Sequence, residues 1–232
     1  DLGALAAGMF NRGIKLAAVP TSLLAMVDSS VGGKTAIDLP EGKNLAGMFY
    51  QPDLVICDCN LLKTLPYEFV ADGFAEVIKY GVIKSEGLFE LIDNLDLHDI
   101  CKEKELLENV VAECISIKRD IVNADEFDRG ERQLLNFGHT LAHSVELLSE
   151  YNITHGNAVA MGMVSISKAC AKKNICSEEC SEKICNMVQK HGLSVELHYL
   201  SKELAEALYR DKKRNGKNIT IVVPEIIGRC SL

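Results

Sequence analysis

The sequence lacks several features that would assign a chain to a common class of protein. Its formal net charge is -8, so there is no excess of positive charge, which argues against nucleic acid or an anionic membrane as the main partner. No apolar run reaches membrane-spanning length, and no stretch has the pattern of a signal peptide. Internal repeats and low-complexity linkers are also missing. With 232 residues, 47% hydrophobic and 25% charged, the composition is typical of a soluble globular protein of one or two domains.

Cysteine is plentiful, but the spacing of a structural metal site is missing. The chain has nine cysteines and no CxxC pair. The densest group is Cys170, Cys176, Cys180 and Cys185, and its spacing fits no known ligand pattern. An odd number of scattered cysteines predicts a reduced, cytoplasmic protein without a disulfide framework.

A phosphate-binding P-loop is missing as well, although one segment resembles it. Asp28–Thr35 ends in Gly32-Gly33-Lys34-Thr35, but the first glycine of the GxxxxGK spacing is absent. Two interpretations stay open. The segment is either an ordinary Gly-Gly hairpin turn, or a turn that brings backbone amides and the Lys34 ammonium to a phosphate.

Histidines supply the strongest chemical signal. His139 and His143 are four residues apart and share one face of a helix, and His155 opens the next apolar run. Upstream, Glu76 lies inside an apolar helical pattern, where a carboxylate is rare unless it is paired or binds a metal. Two histidines and one glutamate form the ligand set of a catalytic zinc site. The alternative is that a histidine at a helix start is a cap or a surface residue, and spacing alone does not decide between them.

The pattern along the chain changes at Pro66. Before it, short strands are predicted at Lys15–Val19, Thr35–Leu39 and Leu54–Cys57, with a turn at Glu41–Asn44. After it, helices are predicted at Tyr67–Lys84, Glu86–Asn94, Lys104–Asn123, Glu131–Glu150, His155–Lys173, Ser177–Lys190 and Ser201–Arg210, followed by a strand at Ile219–Val223. We therefore predict an α/β domain over residues 1–65 and a helical domain over residues 66–232.

Basic residues lie beside the glycine turns and the histidine helix although the chain is acidic overall. They are Lys34, Lys43, Lys79, Lys118, Arg132 and the Asp211-Lys212-Lys213 run. A single lysine is usually a solvated surface residue. A basic pocket in an acidic protein indicates a small, multiply anionic substrate.

Taken together, these segments resemble the 3-dehydroquinate synthase family of sugar phosphate cyclases. The resemblance rests on Val19–Thr35, Gly42–Asn44, Ala75–Gly81, Arg132–Thr140, His155–Met163 and Asp211–Lys213, which follow the family's order from end to end. It implies a Rossmann-like nucleotide-binding domain, present here as its C-terminal part, followed by a helical metal-binding domain, with the active site between the two. It also implies that the family's glycine-rich dinucleotide loop precedes Asp1.

The resemblance implies a role for each matching residue. The metal ligands would be Glu76, His139 and His155. The spacing of the histidines by itself would make His143 a ligand too, but the family pattern implies instead that His143 faces the substrate and assists proton transfer. Further catalytic residues would be Lys79, Asn136, Lys34 and Asp28. The substrate would be bound by Arg12, Lys34, Asn44, Lys118, Arg132, Asn136 and Lys212 or Lys213. NAD would be contacted by Asp1, Thr21, Ser22, Lys43 and Thr64.

The implied activity is that of an NAD- and zinc-dependent lyase, with cobalt as an alternative metal. It would convert 3-deoxy-arabino-heptulosonate 7-phosphate to 3-dehydroquinate and phosphate, in the shikimate route to chorismate and the aromatic amino acids. A homodimer is also implied. Another sugar phosphate cyclase, of the valiolone or inosose type, and a metal-dependent polyol dehydrogenase are the alternatives, as is a non-catalytic zinc-binding remnant. Because most of the NAD-binding half is expected to lie upstream, we expect the isolated chain to bind NAD poorly and to have little or no activity.

Overall fold

A computed structural model describes residues 1–39, 42–100, 102–212 and 219–232, without the side chains of residues 42, 43 and 209–212. The chain divides into two compact units. The N-terminal unit consists of Asp1–Val70 and Asp99–Arg132, and the C-terminal unit consists of Ala71–His98 and Gln133–Leu232. These units group residues by contact, whereas the predicted domains were drawn from sequence pattern, and the boundary after residue 65 stays a prediction.

The N-terminal unit combines two small sheets with helices. Strand β1 (Ala17–Ala18) runs parallel to β4 (Leu54–Val55), and β2 (Lys34–Leu39) is antiparallel to β3 (Gly42–Phe49). The helices are α1 (Leu2–Met9) and α4 (Lys104–Ala124), with 3-10 turns at Phe10–Arg12 and Cys59–Thr64 and a π-helix at Ala25–Ser29. Parallel pairing of strands that are distant in sequence is typical of α/β architecture.

Strand β3 is the main element of this unit that the sequence pattern did not predict. The predicted turn at Glu41–Asn44 is wrong in its last three residues, because β3 already begins at Gly42. Its glycines and polar residues have low strand propensity, but β2 satisfies its backbone groups. Gly47 allows this pairing, since a Cβ there would lie 2.3 Å from the carbonyl oxygen of Thr35. The predicted strands around β1 and β4 are confirmed, but each is only two residues long.

The C-terminal unit is helical and is built around α2. Its helices are α2 (Tyr67–Lys84, which starts in the N-terminal unit), α3 (Glu86–Asp93), α5 (His139–Leu148), α6 (His155–Lys172), α7 (Glu178–Lys190) and α8 (Ser201–Lys212). Every residue from Ala71 to Ile83 is buried, as expected of a helix that is apolar on all sides. In the described part of the chain, no helix is both long enough and apolar enough to cross a bilayer.

Two predictions for this unit are wrong. The predicted helix Glu131–Glu150 is interrupted: a 3-10 turn covers Glu131–Asn136, Gly138 has a φ of +81°, and α5 starts only at His139. A positive φ stops a right-handed helix. The last strand lies not at Ile219–Val223 but at β5 (Val223–Ile226), which forms a hairpin with β6 (Arg229–Ser231) through Gly228.

Candidate metal centre and anion-binding residues

Three helices of the C-terminal unit bring the predicted metal ligands together. Glu76 lies in the buried stretch of α2, His139 is the first residue of α5, and His155 is the first residue of α6. Two glycines of α6 allow its backbone to lie directly against the backbone of α2 and of the residue before α5. A Cβ at Gly156 would lie 1.9 Å from the carbonyl oxygen of Asp72, and a Cβ at Gly162 would lie 2.1 Å from that of Gly138.

The donor atoms of these residues converge on one point. Oε1 of Glu76 lies 3.4 Å from Nε2 of His139 and 3.4 Å from Nε2 of His155. All three donor atoms lie within 4.8 Å of one another. In a tetrahedral zinc site with bonds of about 2.05 Å, neighbouring ligand atoms are about 3.3 Å apart. The two Glu76–histidine spacings and the chemistry of this donor set therefore fit zinc or a similar ion, which three protein donors would leave with one tetrahedral position for substrate or water.

The second ring nitrogen of each histidine is also held in place. His139 Nδ1 lies 3.2 Å from the carbonyl oxygen of Phe137, and His155 Nδ1 lies 3.1 Å from Oε1 of Glu146. A carbonyl oxygen only accepts hydrogen bonds, so Nδ1 of His139 carries the proton and Nε2 keeps its lone pair. Both imidazoles therefore direct Nε2 toward Glu76.

Their protonation differs because their surroundings differ. Burial lowers the pKa of His139 to about 3, although the Glu76 carboxylate opposes this shift. Burial also acts against the charged form of His155, but the hydrogen bonds that its ring donates to the Glu146 and Glu76 carboxylates outweigh it and raise the pKa of His155 to about 10. In the metal-free protein at pH 7, His139 is neutral, whereas His155 is protonated on both ring nitrogens. An incoming metal ion must therefore displace the proton on Nε2 of His155.

The other oxygen of Glu76 contacts a buried lysine. Lys79 Nζ donates to Glu76 Oε2, and the two side chains are 1% and 0% exposed. The carboxylate thus divides its oxygens between an ammonium group and the two imidazoles. His143 is exposed, with its ring 6.0 Å from the ring of His139 between centroids. It does not join the converging donor atoms among the described residues, and Asn136 ends the 3-10 turn before Gly138.

In the N-terminal unit, the predicted substrate-binding cations contact groups of the protein itself. Lys34 pairs with Asp128, and Lys118 Nζ lies 2.8 Å from Oδ1 of Asp28. Arg132 is 2% exposed, and its guanidinium donates to the carbonyl oxygens of Gly32, at 2.7 Å, and Glu126. An anionic ligand that uses these cations must exchange with these partners.

Arg132 also accounts for one of the two glycines in the predicted turn. Gly32 has a φ of +101°, and a Cβ there would lie 2.7 Å from the Arg132 guanidinium. The segment before it is a π-helix, not the strand of a hairpin. The hairpin interpretation of the Gly32-Gly33 turn is therefore wrong, because this turn joins a π-helix to β2.

A cavity of about 300 Å³ in the N-terminal unit contains one of the predicted NAD-contacting residues. It is lined by Asp1, Pro20, Lys34, Tyr50 and neighbouring small residues. Thr21, Ser22 and Thr64 are not among its lining residues. Instead, Ser22 Oγ accepts a hydrogen bond from the Ala25 amide, and the Thr64 hydroxyl lies 3.3 Å from the Leu61 carbonyl oxygen.

The remaining predicted residues are either exposed or have side chains that the structure does not describe. Arg12 and Asn44 are exposed and have positive φ angles of 67° and 53°. Lys43 lies in β3 and Lys212 ends α8, without described side chains, and Lys213 lies outside the described residues. Their predicted contacts stay predictions.

Sequence reasoning missed three acidic residues that shape these sites. Glu146 follows His139 by seven residues, which is two helical turns, and Asp72 precedes Glu76 by four. A carboxylate four or seven residues from a predicted metal ligand in an apolar helix lies on the same helix face, so these two residues could have been predicted to lie near the site. Asp128 gave no such signal, because it contacts Lys34 from 94 positions away.

Solved structures with the same fold define the class. The chain matches 2-deoxy-scyllo-inosose synthase in complex with carbaglucose-6-phosphate, NAD+ and Co2+ (TM-score 0.88, 29% identity, 100% of this chain and 65% of that chain). It also matches ValA, the 2-epi-5-epi-valiolone synthase from Streptomyces hygroscopicus subsp. jinggangensis 5008 with NAD+ and Zn2+ bound (TM-score 0.90, 23% identity, 99% and 65%). The chain therefore has the fold of the sugar phosphate cyclases.

Sequence comparison narrows the class to a family. Residues 1–72 match the model of the 3-dehydroquinate synthase N-terminal domain, and residues 73–214 match that of the C-terminal domain. The chain belongs to the 3-dehydroquinate synthase family. It is 46% identical over 230 residues to the 3-dehydroquinate synthase of Clostridium perfringens (strain 13 / Type A), and this match covers 98% of this chain and 65% of the relative. Against the enzyme of Streptococcus thermophilus (strain ATCC BAA-491 / LMD-9), identity is 44% with coverage of 100% and 66%. The chain thus spans about two thirds of the length of these relatives.

Proposed function

We propose that the whole protein is a 3-dehydroquinate synthase, which converts 3-deoxy-arabino-heptulosonate 7-phosphate to 3-dehydroquinate and phosphate. The observation that carries this proposal is the convergence of Glu76, His139 and His155 within 4.8 Å, in a chain 46% identical to a relative of that name. The metal and NAD, when bound, would supply a Lewis acid for a substrate hydroxyl and a temporary acceptor for its hydride.

The residues of the metal cluster have distinct tasks. Glu76, His139 and His155 would hold the ion, and Lys79 would keep the buried Glu76 carboxylate ionised by pairing with its second oxygen. His143 is exposed beside His139, so its imidazole would take a proton from a bound ligand and return it to solvent. This separation of tasks suits a reaction in which a hydroxyl is held while a neighbouring proton moves.

The cations of the N-terminal unit support an anionic sugar phosphate as the substrate. Lys34 is half exposed beside the cavity that we assign to part of the NAD site. Lys118 and Arg132 are nearly buried and held in fixed positions, and a guanidinium fork matches a carboxylate. A substrate carrying both a carboxylate and a phosphate would have a partner for each charge.

The test is an assay of phosphate release by the full-length protein with NAD and zinc. We expect release from 3-deoxy-arabino-heptulosonate 7-phosphate, none from sedoheptulose 7-phosphate, and no net NADH. His139→Ala should abolish release, whereas Glu90→Gln, at an exposed position of α3, should leave it unchanged. Release from sedoheptulose 7-phosphate would instead favour the valiolone type of cyclase, whose fold this chain shares. Accumulating NADH would indicate a polyol dehydrogenase.

A further inference from the structure

Glu146 is a buried acid that lies on the same helix as one predicted metal ligand, His139, and contacts another, His155. It is 3% exposed, and its Oε1 lies 3.1 Å from Nδ1 of His155. It belongs to α5, the helix that begins with His139. The helix that supplies one ligand therefore also supplies the hydrogen-bond partner of the other.

We infer that Glu146 is a positioning residue for His155. Its carboxylate accepts a hydrogen bond from Nδ1–H, so that proton stays on Nδ1, and Nε2, which faces Glu76, is the nitrogen that gives up its proton to bind a metal ion. This inference rests on the proposed metal site, and it assigns to that site a residue that does not contact the ion.

The two histidines differ in how much they need such help. His139 is 13% exposed in its side chain and is held by a backbone carbonyl of its own segment, that of Phe137. The side chain of His155 is 30% exposed, so less of its ring is packed against the protein. A side-chain carboxylate from another helix therefore does for His155 what the backbone does for His139.

A carboxylate also affects the metal-binding strength of an imidazole more than a backbone carbonyl does. A charged acceptor forms a stronger hydrogen bond with an imidazole N–H and makes the opposite nitrogen a better donor to a metal ion. Loss of such a partner typically weakens metal binding about 10- to 100-fold. The predicted order of zinc affinity is wild type, then Glu146→Gln, which keeps an acceptor oxygen without the charge, then Glu146→Leu, which removes the acceptor.

The experiment measures metal affinity on the chain described here, so it does not depend on catalysis. Zinc dissociation constants are obtained by competition with a chromophoric chelator for the wild type, Glu146→Gln, Glu146→Leu and the control Glu90→Gln. The visible spectrum of bound Co2+ reports ligand geometry, and 15N chemical shifts report which nitrogen of His155 carries the proton in the zinc-bound protein. We expect Glu146→Leu to weaken zinc binding about 10- to 100-fold and to change the cobalt spectrum, with the thermal unfolding of the metal-free protein as a control for folding.

The outcomes separate this inference from the proposed function. A wild-type protein that binds no zinc would overturn the metal site and the inference together. A wild-type protein that binds zinc, with both Glu146 variants matching its affinity and cobalt spectrum, would overturn the positioning role alone. If Glu146→Leu does not fold, Glu146→Gln decides: unchanged affinity and an unchanged cobalt spectrum would refute the inference, and weaker binding would support it.

Discussion

Replacing Gly156 by alanine tests whether backbone contacts set the position of a metal ligand. The new Cβ would lie 1.9 Å from the carbonyl oxygen of Asp72 and 2.6 Å from its carbonyl carbon. Helix α6 would have to move by roughly 1.5 Å for this contact to reach an ordinary van der Waals distance. Neither partner can yield by rotating a side chain, because both atoms on the Asp72 side belong to the backbone.

The shift would act on both stability and metal binding. Overpacking of this kind costs about 1–3 kcal/mol of unfolding free energy. His155 is adjacent to Gly156, so its Nε2 would move by roughly 1 Å, well beyond the ~0.2 Å over which metal–ligand distances vary. We expect zinc binding to weaken by at least tenfold, which corresponds to about 1.4 kcal/mol.

The assays are chemical denaturation of the metal-free protein and zinc competition with a chelator. Gly87→Ala is the matched control, since a Cβ there meets nothing within 4 Å. Gly87 is the second residue of α3, and alanine is a better helix former than glycine, so this variant should be at least as stable as the wild type and bind zinc normally. Normal stability and zinc affinity in Gly156→Ala would refute the idea that this contact positions α6.

Three further predictions concern charged groups. Lys79→Met removes the ammonium partner of Glu76 in a fully buried pair. It should destabilise the metal-free protein by about 3 kcal/mol but the zinc-saturated protein by less, because the ion supplies positive charge. An equal loss of stability in both states would contradict this. Asp128→Asn removes the acid that pairs with the half-exposed Lys34, and should tighten inorganic phosphate binding by only about two- to fivefold; in isothermal titration, unchanged binding would show that the pair does not compete with anions. Burial lowers the pKa of His191 below its usual 6.5, so the unfolded state takes up a proton first and stability is lost as pH falls below that value. Chelator-treated His191→Gln should therefore lose less unfolding free energy between pH 7.5 and 5.5 than the wild type, and parallel curves would refute this.

The success of sequence reasoning depended on how local each feature is. Helix α2 was predicted with the bounds that the structure gives it, Tyr67–Lys84, because Pro66 and a continuous apolar pattern mark its start and its extent. The chemical types of the three predicted ligands indicated zinc, and the structure places Glu76, His139 and His155 together.

Features that depend on distant contacts were not predictable in this way. The interruption before α5 arises where Gly138 meets Gly162 of another helix, and no periodicity within residues 131–150 reveals that contact. Strand β3 contradicts its own local propensity and exists because β2 pairs with it. The contact between Arg132 and Gly32 spans 100 positions, so the resemblance implied a substrate-binding arginine, but no local pattern could reveal its backbone partners.

The internal partners of the cations have a consequence for selectivity. Lys34, Lys118 and Arg132 already contact a carboxylate or carbonyl of the protein, so an arriving anion gains only the difference between two sets of contacts. Chloride or another monovalent anion displaces at most one of these tethered groups and gains little. A ligand with several charges displaces several of them at once without paying the loss of translational freedom more than once. At these predicted substrate-binding cations, the carboxylates of Asp128 and Asp28 would therefore disfavour small monovalent anions relative to a multiply charged ligand.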